Sequence, residues 1–415
     1  MASLTSKSYR FAFILITSLF FLWGFAHNLD PILIPHLKRS FTLTTTQSTL
    51  VDSAVFIAYF IMALPAGFII KKYGYKIGII AGLLLFAAGS FLFIPAANTQ
   101  QYNFFLVALF IIACGLTILE TAANPYASLL GDPSTATQRL NFAQSFNGLA
   151  ATLAPIIGAR MILTQGNSDE ALNAMDATAR QMALASEAAS VKTPYLVLAC
   201  VIVLIAVIFA FIKLPEIKGE DETAPGKSIM HTLRHKHLLG AVVAQFFYVG
   251  AQVCVFSFFI LFAVKSSGID KIKAADYLGW GCGMAFMVGR FVGTFVMRYI
   301  APPKLLAFYA FMNVLLCIVA INAHGMVPVY AVIGIAFFMS IMFPTIFSLG
   351  IKGLGSDTEL GSSLIIMSIV GGALLPPILG LISDRTQNIQ MGYIVPLVCF
   401  AFVFWFGWKG HEVRD

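Results

Sequence analysis

The chain is short of charge. Only 11% of its 415 residues are Asp, Glu, Lys or Arg, against about 25% in a soluble domain. At the same time 59% are hydrophobic, 38 are Phe, and the mean hydropathy is +0.86. So little charge cannot wet a whole surface, which excludes a water-soluble globule and makes lipid the solvent. Cysteine is also sparse: Cys114, Cys200, Cys254, Cys282, Cys317 and Cys399. All lie in apolar runs and none forms a CxxC pair, which excludes a disulfide or zinc framework and leaves them as small buried hydrophobes. No P-loop, HExxH or GxSxG string occurs. No catalytic residue, cofactor or metal ligand is therefore assigned, and an ion gradient rather than ATP is the natural drive. The net charge of +7 gives no argument for nucleic acid, because excess Lys and Arg in a membrane chain reports which loops stay in the cytoplasm.

What is present is a series of long apolar runs. A bilayer core of about 30 Å needs about 20 apolar residues per helix. Twelve runs qualify: 11–36, 49–70, 77–96, 102–130, 139–163, 193–213, 237–264, 274–297, 304–322, 326–350, 361–383 and 391–408. The first follows MASLTSKSYR and is too long for a signal-peptide core, so it is read as a retained span. An even number of spans puts both termini on one side. With the termini in the cytoplasm, the inside segments carry sixteen Lys and Arg and the outside loops nine, which favours that orientation. Arg290 remains within span eight and is read as a structural residue reaching toward the cytoplasmic interface.

The polar stretch 214–236 divides the spans six and six and reads as a cytoplasmic linker between an N-terminal half, 1–213, and a C-terminal half, 237–415. Its end, HTLRHKH, places His231, His235 and His237 close together. The spacing is compatible with a metal, but a basic, solvated loop end is the preferred reading. The Ala-rich stretch 164–191 has a helical pattern and is expected to lie on the outer surface. A weak repeat about 220 residues apart supports the two halves. Span four ends ANPYASLLG and span ten MFPTIFSLG, each with Pro followed by Gly six residues later; APIIG in span five answers PPILG in span eleven.

An intramembrane carboxylate costs about 2.5–3.5 kcal/mol on insertion scales and is a functional candidate by default. Glu120, in LETAANPY of span four, has no Lys or Arg within a turn, and Asn124 shares its face. Away from water the neutral acid is favoured, so Glu120 can hold a proton and release it when water arrives. Pro125 is expected to loosen the helix there. Asp30, in FAHNLDPILIPHLK of span one, precedes Pro31, which predicts a kink lining protein or water rather than lipid. Asp52 lies near the outer end of span two, where a capping or solvated role competes with a functional one. Amides gather as well: Asn28 in span one; Asn141, Gln144 and Asn147, at spacings of three and so largely on one face of span five; Gln245, Tyr248 and Gln252 on one face of span seven. Amides both donate and accept, so a set facing one cavity suits a neutral polyhydroxylated ligand, with Tyr248 or Phe146 covering its C–H surface. Taken singly, each amide is equally well read as a bond between helices.

Twelve spans in six plus six, with the GFIIKKYGYK loop after span two, resemble the major facilitator superfamily. The strings LETAANP, RLNFAQSFN, AQFFYVGAQ, FPTIFSLGIK and NLDPILIPHLK resemble its fucose permease group, over about Phe20 to Val403. The resemblance implies an all-α membrane fold of two pseudo-symmetric six-helix halves that rock about a midplane site. It also implies proton-coupled transport of a sugar such as fucose, glucose, galactose or N-acetylglucosamine. It implies that Glu120 serves substrate recognition and proton coupling, and that Gln144, Asn147 and Asn28 contact sugar. The family's span-one aspartate stands in an LND string; here the sequence is Leu29-Asp30-Pro31, so the acid is one position back and turned by about 100°. Lys71 stands where the superfamily usually has an acid.

The expected function is thus a proton-coupled monosaccharide importer in a bacterial cytoplasmic membrane, working as a monomer, with sugar, protons and lipid as its partners and no nucleic acid. The candidate proton carriers are Glu120, Asp30 and Asp52. Asn28, Asn124, Gln144, Asn147, Gln245, Tyr248 and Gln252 are the candidate sugar ligands. A proton-driven exporter of small amphipathic compounds and a non-transporting sugar sensor are the alternatives.

Overall fold

The computed structural model describes residues 6–29, 33, 37, 40–41, 50–158, 174–212, 214 and 229–413. Among them there is no strand. Eight helices are long and apolar enough to cross a membrane, and one of these, Ala54–Thr99, holds two spans. Spans one (Ser6–His27), five (Ala136–Gly158) and eight (ending Met284–Val296) complete the twelve runs read from the sequence. The pattern is inverted relative to a soluble protein. On span two Ile57, Phe60, Ile61 and Phe68 are exposed, while Ala58, Tyr59, Ala63 and Ala66 face inward. With lipid outside, the inner faces are held by close packing and hydrogen bonds rather than by escape from water.

Local chemistry sets the turns. Spans two and three run together from Leu50 to Thr99, broken at Gly74, whose φ of 82° and ψ of 168° suit glycine alone. The chain folds back there: a Cβ on Gly78 would meet the Ile70 side chain at 2.7 Å, although eight residues of straight helix span about 12 Å. Span four (Tyr102–Leu129) ends at Gly131, with a φ of 119°. Asp132 then accepts the Ser134 N–H at 2.8 Å, and Ser134 holds its carboxyl below the usual carboxylate range. Arg139, at the start of span five, reaches back to the carbonyls of Ala127 and Asp132 at 3.4 and 2.7 Å and so satisfies chain ends left over by span four. Within the Ala-rich stretch a helix runs Ala177–Ala189, capped by Asp176. Span six follows as Lys192–Phe211.

The second half opens with a short helix, Ile229–Thr232, and span seven, Lys236–Ser267. Residues 215–228 of the expected linker lie outside the described residues. Span eight begins at Lys271–Asp276 and widens into a π turn over the glycine-bearing Tyr277–Gly283. Span nine is Pro302–Asn322. Span ten breaks between Val327–Met339 and Met342–Gly350, just before Pro344. Span eleven runs Thr358–Met367 and Gly371–Thr386 around a tight turn, and span twelve is Ile394–Trp405.

The halves meet where span two packs on span eleven and where span five packs on span eight. If each half repeats the other, span two corresponds to span eight and span five to span eleven, so these two contacts are the same contact made twice. Cys200 is exposed, whereas the sequence reading buried all six cysteines. It faces out from span six, where lipid is as apolar as the protein interior.

Candidate functional site

Five spans bring polar groups to one line across the bundle. Glu120 is half-buried on span four, and its Oε1 accepts the hydroxyl of Tyr59 from span two at 2.7 Å. One turn on, the Asn124 amide donates to the Glu120 backbone carbonyl at 2.9 Å, and its Oδ1 accepts Gln144 Nε2 from span five at 2.9 Å. The carbonyl of Gln144 takes Nη1 of Arg290, from span eight, at 2.6 Å. Arg290 Nε donates to the Ser340 carbonyl in span ten at 2.8 Å, and the guanidinium lies 4.6 Å from the centre of the Phe286 ring. The chain Tyr59–Glu120–Asn124–Gln144–Arg290–Ser340 thus crosses both halves.

Arg290 departs from expectation. It is 4% exposed and points across the interface between halves, not toward the membrane surface. A buried arginine costs about 2.5–3.5 kcal/mol at a helix centre, and two carbonyls and an aromatic face offset that here. The sequence could not show this, because Gln144 is 146 residues away and the partner atom is a backbone oxygen.

The Ser340 carbonyl, and a second carbonyl in span four, are free because of proline. Pro125 has no N–H for the Thr121 carbonyl four residues back. The helix continues through it all the same, and Ser362 Oγ of span eleven donates to Thr121 O at 2.9 Å. Pro344 frees Ser340 in the same way, and Arg290 takes that oxygen. The repeated prolines of spans four and ten therefore act as acceptor-makers rather than as breaks alone.

The span-five amides part company. Steps of three residues turn the helix by about 300°, or 60° backward each time. Asn141 donates to Thr345 Oγ1 in the other half at 3.1 Å, Gln144 turns to Asn124, and Asn147 lies against Gly24 of span one, where an added Cβ would come within 2.8 Å of it. Asn28 also turns to Gly24, donating to its carbonyl at 2.6 Å. On span seven Gln245 and Tyr248 are fully buried and Gln252 half-buried. Both side-chain polar atoms of Gln245, the Tyr248 hydroxyl and Asn141 Oδ1 have no hydrogen-bond partner among the described residues. Buried polar atoms are ordinarily paired, and these four are not paired among the described residues. Asp30 lies outside the described residues, as does the side chain of Asp52. Tyr59 was not singled out from the sequence; a tyrosine among the Ala and Phe of span two was its only signal.

Toward the end of the bundle that holds Gly74, the halves are bonded together. Thr137 and Ser348 hydroxyls lie 2.9 Å apart, and Gln138 donates to the Thr294 carbonyl at 3.3 Å. A Cβ on Gly67 would stand 2.0 Å from Ser363 Oγ, so only glycine lets spans two and eleven close this tightly.

A sequence model of the Major Facilitator Superfamily matches residues 11–358. The chain belongs to that superfamily. The L-fucose-proton symporter of Escherichia coli K12 is 42% identical over 97% of this chain and 93% of its own. The glucose/galactose transporter of Brucella abortus is 42% identical over 98% and 96%. A crystal structure of the superfamily transporter FucP in the outward conformation matches with a TM-score of 0.91 at 41% identity, over 98% of this chain and all of that one. These relatives bear out the fucose permease resemblance and the twelve-helix, two-half fold.

Proposed function

We propose that the chain imports a monosaccharide together with a proton by alternating access. The observation that carries this reading is the single polar line through both halves, with a carboxyl, Glu120, at one end, together with the buried Gln245 and Tyr248 of span seven, whose polar side-chain atoms have no hydrogen-bond partner among the described residues. The Glu120 carboxyl, held by the Tyr59 hydroxyl, lies one helical turn from the Asn124–Gln144 amide pair, so a change in its charge is felt where the amides would hold the sugar. In this reading Glu120 carries the proton, with Asp30 or Asp52 as its partner. Asn28, Asn124, Gln144, Asn147, Gln245, Tyr248 and Gln252 hold the sugar. The relatives named above suggest fucose, glucose or galactose as the substrate class.

The Gly74 end is assigned to the cytoplasm, with both termini, in a bacterial inner membrane. Halves 1–213 and 237–415, joined by 214–236, rock about the line. The bonds that tie the Gly74 end together describe a carrier closed to the cytoplasm. No chemistry is done on the sugar, no cofactor is used, and one chain is a complete carrier. A potential of 100 mV is worth about 2.3 kcal/mol per charge, so one proton per sugar supports about 50-fold accumulation.

The test is uptake of a labelled panel of hexoses, deoxyhexoses and amino sugars into proteoliposomes with an imposed pH gradient. At least one sugar is expected to accumulate, and to stop doing so when the gradient is collapsed. No gradient-driven accumulation of any member overturns the reading; binding without counterflow would make the chain a sensor.

A further inference from the structure

A second cluster of ligating groups lies at the Gly74 end, apart from the polar line. His231 leaves the short helix before span seven, His235 caps span seven, and Asp357 comes from the turn between spans ten and eleven. Asp357 is more than 120 residues from either histidine in sequence, yet His231 Nδ1 lies 2.9 Å and His235 Nε2 3.4 Å from the same oxygen, Asp357 Oδ2. All three ligand atoms lie within 4.8 Å of one another. Ligands at about 2.0–2.2 Å around a tetrahedral ion stand about 3.4 Å apart; the two carboxylate–imidazole edges, 2.9 and 3.4 Å, are at or just under that spacing, and the imidazole–imidazole edge is no longer than 4.8 Å.

The acid makes the cluster more than a solvated loop end. Asp357 is 1% exposed, and its other oxygen, Oδ1, has no hydrogen-bond partner among the described residues. Nor does any Lys or Arg among them lie within 4 Å of its carboxylate. A buried carboxylate with one oxygen facing two imidazoles and the other facing nothing lacks positive charge. The histidines are 39% and 30% exposed, so an ion from the aqueous side can reach them, and a fourth position stays open to water.

We propose that His231, His235 and Asp357 bind one divalent transition metal ion of the zinc type. Two imidazoles and a carboxylate suit zinc, cobalt or nickel, whereas magnesium and calcium prefer all-oxygen sites. The ion ties the end of the linker to the start of span eleven. That segment carries Ser362 and Ser363, which close on the first half, so the metal braces the closed end. The site stands apart from the sugar reading and does not depend on it.

The experiment is calorimetric titration of zinc chloride into the purified full-length protein with any affinity tag removed, alongside visible spectroscopy with cobalt. One zinc per chain is expected, with cobalt bands of a low-coordinate site, unaffected by millimolar magnesium. His231→Ala, His235→Ala and Asp357→Asn should each weaken zinc binding at least about tenfold. His324→Ala, which removes a histidine outside the cluster, should leave it unchanged. His231 is exposed enough that His231→Ala keeps the metal-free melting temperature, so the idea can be judged even if Asp357→Asn does not fold. Absence of stoichiometric binding in the wild type, or equal binding by wild type and His231→Ala, overturns the proposal.

Discussion

The hydroxyl of Ser362 donates to the carbonyl of Thr121 at 2.9 Å, and that carbonyl is free because Pro125 has no N–H to offer it. A residue whose usual effect is to weaken a helix here creates an acceptor for the other half. Pro125→Ala returns the helical N–H and makes Ser362 compete for the oxygen. The loss of one hydrogen bond, about 1 kcal/mol, should shift the balance between closed and open forms about fivefold toward opening at the Gly74 end. Distance distributions between labels at that end of spans two and eleven would read the shift. Unchanged distributions would mean that the bond does not hold the halves.

Glu120→Gln keeps the size of the side chain and its place beside Tyr59 but cannot lose a proton. Exchange of labelled for unlabelled sugar across proteoliposomes should persist, while accumulation driven by a pH gradient should vanish. Normal accumulation by this variant would make Glu120 a structural residue.

Arg290→Lys keeps the charge and loses the fork. Lysine cannot donate to Gln144 O and Ser340 O together with the geometry of a guanidinium. Transport should fall at least about tenfold, and the melting temperature in detergent should drop, since a buried cation is left with poorer partners by about 1–3 kcal/mol. Wild-type transport by the lysine variant would show that charge alone matters.

Gln144→Ala breaks the link from Asn124 toward Arg290, and Gln245→Ala removes a buried amide with no hydrogen-bond partner among the described residues. The first should lower both stability and sugar affinity. The second should lower affinity alone, by about 1–3 kcal/mol or roughly tenfold or more, because none of the described residues loses a bond. Sugar titration followed by intrinsic fluorescence, paired with thermal melts, separates the two. A Gln245→Ala variant that melts lower with unchanged affinity would place Gln245 in the packing and not the site.

Much was legible in the chain itself. Twelve runs of bilayer length, with acid and amides at set points within them, are local facts, and the membrane penalty on polar groups makes each exception conspicuous. Glu120 with Asn124, and the amides of spans five and seven, could be singled out for that reason. Even the pairing of prolines in spans four and ten was visible as a repeat. The use each polar group finds was not. Arg290 reads as a snorkelling residue until span five is placed beside it. Asn141, Gln144 and Asn147 read as one face until the 60° steps meet three different neighbours. The Asp357 carboxylate shows no link to the histidines of HTLRHKH in sequence.

The sequence by itself determined the solvent, the number of crossings and the candidate chemistry, because hydropathy and helical spacing act over twenty residues or fewer. Only the tertiary structure decided who meets whom: Tyr59 with Glu120, Ser362 with Thr121, Arg290 with two backbone oxygens, Asp357 with two histidines. Those contacts join residues 50 to more than 200 positions apart, many through main-chain atoms that every residue carries. What selects them is the tilt and depth at which twelve helices pack.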